Sequence, residues 1–120
     1  MPSFSEFAKQ YAARIKKAVD NDSVGVALGR IKSASAFTRT DLGDALREVG
    51  GEFEGLVYAE GDQAGQPLSE DDKQKIADEI AERLGWNQPR TLRRLIKGGS
   101  VDSLMNMSQE MENLFLAVRK

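Results

Sequence analysis

The chain has 120 residues, 40% of them hydrophobic and 30% charged, which is the size and balance of one globular domain. Its longest unbroken apolar run, Leu114 to Val118, is far below the roughly 20 residues a membrane-spanning helix needs. The sequence has no Cys and no His, so disulfides, thiolate metal sites and the commonest general base are excluded, and the net charge is only −2.

That small net charge hides an uneven layout. Glu60 to Glu82 holds eight acidic residues against two Lys, whereas Arg83 to Val101 holds five basic residues and no acid. Such polarity along a chain can mark a binding surface. The opening MPSFSEFAKQ has no basic leader followed by an apolar stretch, so no secretory signal is read and a cytoplasmic location is expected.

Helix signals dominate the chain. Ser3-Phe4-Ser5-Glu6 has capping-box spacing, in which each side chain can satisfy the other residue's free backbone N–H. Phe4, Phe7, Ala8, Tyr11, Ile15, Ala18 and Val19 recur at three- and four-residue steps, one face of a first helix. Asn21-Asp22-Ser23 is expected to end it and cap a short second helix carrying Val24, Ala27, Leu28 and Ile31. Lys32 to Arg39 reads as a loop. Thr40 or Asp41 then caps a helix with Leu42, Ala45, Leu46 and Val49 inward, which Gly50-Gly51 should break. Phe53, Leu56 and Val57 suggest one or two further helical turns; a strand from Phe53 to Ala59 is the alternative, but it would lack a partner.

Glu60 to Leu68, EGDQAGQPL, is the clearest loop and the candidate sub-boundary within a single helical domain spanning 1–120. It lacks the Lys-Ser or Lys-Thr of a phosphate-binding loop, and its carboxylates lack calcium-loop spacing. Ser69 caps the next helix, with Asp71 and Asp72 in its first turn, where the helix dipole favours negative charge. Ile76, Ala77, Ile80, Ala81 and Leu84 form its apolar stripe, and Gly85-Trp86 suits its stop. Pro89 fits the first turn of a following helix, with Asn87 or Gln88 as cap. After Gly98-Gly99, a last helix runs from about Val101 to the end, with Leu104, Met105, Ser108, Met111, Phe115 and Val118 on one side. The expected fold is all-α, a compact bundle of five or six helices with short loops.

At about 100° per residue, Leu92, Leu95 and Ile96 share one side of the helix from Pro89 to Lys97. Arg90, Arg93, Arg94 and Lys97 share the other. The segment IADEIAERLGWNQPRTLRRLIK, residues 76–97, resembles a helix-turn-helix DNA-binding motif. Ala81 is the small residue of the first helix, Gly85 the turn, Trp86 the hydrophobic residue after it, and Arg90-Thr91-Leu92 the polar-to-aliphatic opening of the second helix. The resemblance implies that this helix enters the major groove of double-stranded DNA. By that implication Asn87, Gln88, Arg90, Thr91 and Arg94 read base edges, while Arg93 and Lys97 meet phosphates.

Two function classes are carried forward. The first is a small DNA-binding regulatory protein using the helix 89–97. The second is a protein-binding helical module, an adaptor or an inhibitor encoded on a mobile element, whose acidic surface engages a basic partner. In the second, the acidic helix, not the basic one, imitates nucleic acid for that partner. Against both stands a plain surface helix, in which Arg90 to Lys97 pair with the acidic helix from Ser69 to Glu82, neutralise it and leave no binding patch. The helix 101–119 is the candidate homodimer contact, which would suit a two-fold DNA site. No nucleophile with a neighbouring base can be nominated, so no enzyme, cofactor, metal or membrane partner is expected.

Overall fold

The computed structural model describes residues 3–98 and 101–119, and the fold is all-α. Six α-helices and one 3-10 helix occur among the described residues, against five or six helices expected: α1 Phe4–Ala27, a 3-10 helix Ala34–Arg39, α2 Asp41–Glu54, α3 Glu70–Leu84, α4 Pro89–Gly98, α5 Val101–Met105 and α6 Ser108–Arg119. The break expected at Gly98-Gly99 falls partly outside the described residues.

The N-terminal cap is as the sequence reads: the Glu6 N–H donates to Ser3 Oγ at 3.2 Å. The expected stop at Asn21-Asp22-Ser23 does not occur, and α1 continues to Ala27. The polar side chains that suggested a cap are used differently. The Ser23 hydroxyl bonds back to the Val19 carbonyl at 2.9 Å, which leaves the helix intact. Asp22, only 6% exposed, reaches across to α2 and accepts the N–H groups of Asp41 at 3.1 Å and Leu42 at 2.8 Å. The cap of α2 is thus non-local. Thr40, one of the two residues expected to supply it, turns its hydroxyl to the Phe37 carbonyl at 2.7 Å.

Gly50-Gly51 does not break α2 either: both lie within it, and Gly50 packs against the α4 backbone at Ile96. Leu56 to Tyr58 are extended rather than helical. Val57 forms an isolated antiparallel bridge with Pro67, and the Tyr58 N–H donates to the Gln66 carbonyl at 2.9 Å. The 60–68 loop is therefore folded back on the chain that precedes it. The Tyr58 hydroxyl ties this loop to α3: it accepts the Ser69 N–H at 3.0 Å and donates to Asp72 at 2.6 Å, which holds the Asp72 carboxyl below its ordinary value.

The core forms where α1 lies on α2, α3 and α6 and where α4 lies on α2 and α3. Ile15, Leu42, Leu46, Phe53, Ile76, Ile80, Leu92, Leu95, Ile96 and Phe115 are all at most 1% exposed. The expected last helix is two: a turn at Asn106-Met107 separates α5 from α6 and changes the phase of the apolar face. As a result Leu104, Met111, Leu114, Phe115 and Val118 are buried while Met105 is not. That face of α6 is spent on the protein's own core, against α1 and the 3-10 helix.

Candidate nucleic-acid interface

Residues 76–97 form two helices joined by a short turn. The Ser69 hydroxyl caps α3 by accepting the Asp72 N–H at 3.1 Å. Gly85 ends α3 with φ of +74°, the left-handed conformation that glycine adopts without a Cβ penalty. The Trp86 N–H then donates to the Ala81 carbonyl at 2.9 Å, and the Trp86 side chain is buried beneath the turn. Ala81, the small residue of the first helix, is buried at 1% exposure. α4 starts at Pro89, with the Gln88 carbonyl accepting the Leu92 N–H at 3.0 Å.

The dry face of α4 is as expected: Leu92, Leu95 and Ile96 are fully buried. The cationic face divides. Arg90, Arg94 and Lys97 are exposed, lie within roughly 60° of one another around the helix, and form no ion pair among the described residues. Asn87 and Gln88, in the turn, are also exposed. Thr91 is half-buried, because Thr91 and Gln88 border a cleft against α6 lined by Trp86, Glu110 and Asn113.

Arg93 departs from the expectation that it meets phosphates. It is 5% exposed and belongs to an internal charge cluster. One guanidinium nitrogen binds Glu54 at the end of α2, and the other binds Glu70 at the start of α3 at 3.2 Å. The guanidinium carbon also lies 5.2 Å from the centre of the Phe53 ring. Lys73 joins the cluster through Glu54 at 2.9 Å and Glu70 at 3.8 Å. The reason is angular: Arg93 stands at the edge of the basic arc, next to the line of Ile96, where α2 and α3 flank α4. Burial pushes the Glu54 carboxyl upward, but hydrogen bonds and charge from Lys73 and Arg93 outweigh it and hold it below its ordinary value.

The acidic residues of α3 do not cover the three outward cations. Asp78 accepts from Gln74 at 2.8 Å. Glu79 binds the Ser5 hydroxyl at 2.7 Å and Arg83 at 3.3 Å. Asp72 is taken by Tyr58 and Lys75. No group of three or more acidic residues that could hold a metal ion occurs among the described residues, and no described helix is long and apolar enough to cross a membrane.

No protein-family model, curated protein or solved structure matches the chain.

Glu54 and Glu110 border this region, and the sequence did not point to either as a neighbour of α4. Both reach it from other helices, Glu54 from α2 and Glu110 from α6, so no spacing within 76–97 could reveal them. The one hint was that Glu54 is an acid directly after Phe53 on an apolar face.

Proposed function

We propose that the chain is a small DNA-binding regulatory protein that presents α4 to the major groove of a duplex. The observation that carries this reading is the set of three outward cations, Arg90, Arg94 and Lys97, left without carboxylate partners in a chain of net negative charge. A guanidinium that reads guanine must reach it with its fork unoccupied. A surface cation kept only for solubility needs no such alignment with two neighbours on one helix. Asn87 and Gln88 extend the same surface beyond the helix N-terminus, where amides can pair with base edges. Arg93 has a different role. It locks α4 onto α2 and α3, so that the reading face is presented by a fixed rather than a swivelling helix.

The alternative, an acidic surface that engages a basic protein, draws less support. Glu70, Asp72 and Glu79 are engaged by the chain's own side chains. A homodimer through 101–119 would have to use the outer side of α5 and α6, since the apolar side is buried.

The test is titration with duplex DNA at two salt concentrations. If all three cations displace counterions, the slope of log affinity against log salt is about −2.7 from these contacts. The double substitution Arg90→Ala with Arg94→Ala should reduce that slope by about 1.8 and weaken binding. Unchanged affinity and slope in the double variant would rule the reading out.

A further inference from the structure

A second surface lies where α1 ends. Residues 23–40 carry Arg30, Lys32 and Arg39 and no acid. After α1 the chain turns sharply: the N–H groups of Arg30 and Ile31 both donate to the Gly25 carbonyl, at 2.8 and 3.3 Å. This lays Ile31 on Gly25, where a Cβ would stand 3.0 Å from Ile31 Cδ1. The turn leaves a groove of about 220 Å³ between it and α6, lined by Val26, Ile31, Phe37, Phe115 and Leu116. The Phe37 and Phe115 rings, 4.7 Å apart, make a firm floor.

Two features set the groove apart from ordinary surface. Leu116 is 47% exposed on its wall, and Leu28, at the end of α1 nearby in the chain, is 61% exposed. The rim is cationic. Lys32 and Arg119 border the groove, with Glu112 its single carboxylate. Arg30, Lys32 and Arg39 are exposed and form no ion pair among the described residues, and Arg119 stacks at 5.7 Å over Phe115. Arg14, Arg47, Lys73, Lys75, Arg83 and Arg93 are each matched to carboxylates, whereas these rim cations, like Arg90, Arg94 and Lys97 of α4, are not. The groove rim therefore carries a positive surplus of its own, separate from that of α4.

We propose that this groove docks an acidic segment of a partner protein, which inserts one or two apolar side chains between Ile31 and Leu116 and sets its carboxylates against Lys32 and Arg119. Charge complementarity selects an acidic occupant. The concave floor favours an inserted side chain over a flat surface such as a bilayer. This site shares no residue with α4, so it stands whether or not the chain binds DNA.

The experiment uses the full chain and a fluorescently labelled synthetic peptide with Leu and Phe on one helical face and Asp and Glu elsewhere. Anisotropy should report saturable binding that weakens about tenfold in Lys32→Glu with Arg119→Glu and is lost in Leu116→Glu. Binding should be unchanged in Arg90→Ala with Arg94→Ala. Amide NMR shifts on peptide addition should cluster at residues 26–37 and 112–119. Both charge-reversed side chains are exposed, so that variant decides the matter even where Leu116→Glu fails to fold. Equal binding by the charge-reversed variant, or shifts clustered elsewhere, would overturn the proposal. It is also overturned if phosphatidylserine vesicles bind where the peptide does not. A concentration-dependent dimer abolished by Leu116→Glu, without peptide binding, would instead assign the groove to a second copy.

Discussion

Gly50 of α2 lies directly against the carbonyl of Ile96 in α4: a Cβ on Gly50 would stand 2.1 Å from that oxygen. This contact sets how deeply α4 sinks onto α2, and with it which of the α4 side chains are left outside. The neighbouring Gly51 has nothing within 4 Å of its would-be Cβ.

The two glycines therefore predict opposite outcomes. Gly50→Ala should destabilise the fold by about 1–3 kcal/mol, since backbone must move to admit the methyl. Gly51→Ala should stabilise it by about 0.5–1 kcal/mol, the helix-propensity gain at an exposed interior position. Urea denaturation of the two single variants makes the comparison. Equal effects would contradict the close approach of α2 and α4.

Asp22 predicts a long-range capping effect. Asp22→Ala leaves the Asp41 and Leu42 N–H groups without their acceptor at the buried start of α2 and should cost about 1–2 kcal/mol. Thr40→Ala should cost less, because the Thr40 hydroxyl is turned to Phe37 rather than to the helix. Amide hydrogen exchange at Leu42 gives the site-specific readout: protection there should fall in Asp22→Ala and persist in Thr40→Ala.

These residues also show where the sequence is and is not legible. The stripes of α1 and α3 are readable because burial repeats at helical spacing: Ile76, Ala77, Ile80, Ala81 and Leu84 are all inside. The Ser3 and Ser69 caps are readable because donor and acceptor lie three residues apart. Gly50, Asp22 and Arg93 mislead for one shared reason. Each has a strong local habit, as helix breaker, cap or solvent cation, that a partner on another helix overrides. In the candidate site the same division holds. The exposure of Arg90, Arg94 and Lys97 follows from helical angle alone, whereas the inward turn of Arg93 depends on Glu54, 39 positions earlier.

The Glu54 carboxyl predicts an acid-sensitive step. Its native value is lowered from an ordinary 4.5, so ionised Glu54 favours the folded state. That contribution is complete above its unfolded value and disappears as pH falls through the lower native one. Urea midpoints of the intact chain should therefore decline more steeply on acidification below about 4.5 than those of Glu54→Gln. Parallel curves for the two proteins would show that Glu54 gains nothing from Lys73 and Arg93.

Arg93 and Arg90 are three residues apart on one helix, yet their substitutions should separate stability from binding. Arg93→Ala removes one of the two cations on Glu54 and empties the space over Phe53; it should destabilise by about 2–4 kcal/mol, at the lower end because Lys73 still holds Glu54 at 2.9 Å and Glu70 is 67% exposed. Arg93→Met, which refills the volume over Phe53, should recover part of that loss, since an apolar replacement removes the guanidinium's own desolvation. Arg93→Lys should recover less, because an ammonium cannot fork between Glu54 and Glu70. Arg90→Ala should leave the urea midpoint nearly unchanged, as an exposed side chain without an ion pair contributes little. In DNA titrations the order reverses. Under conditions where both variants are folded, Arg90→Ala should flatten the salt dependence by about 0.9, and Arg93→Met should leave it as it is. A salt slope that falls in Arg93→Met would mean that the guanidinium leaves its cluster to meet a phosphate.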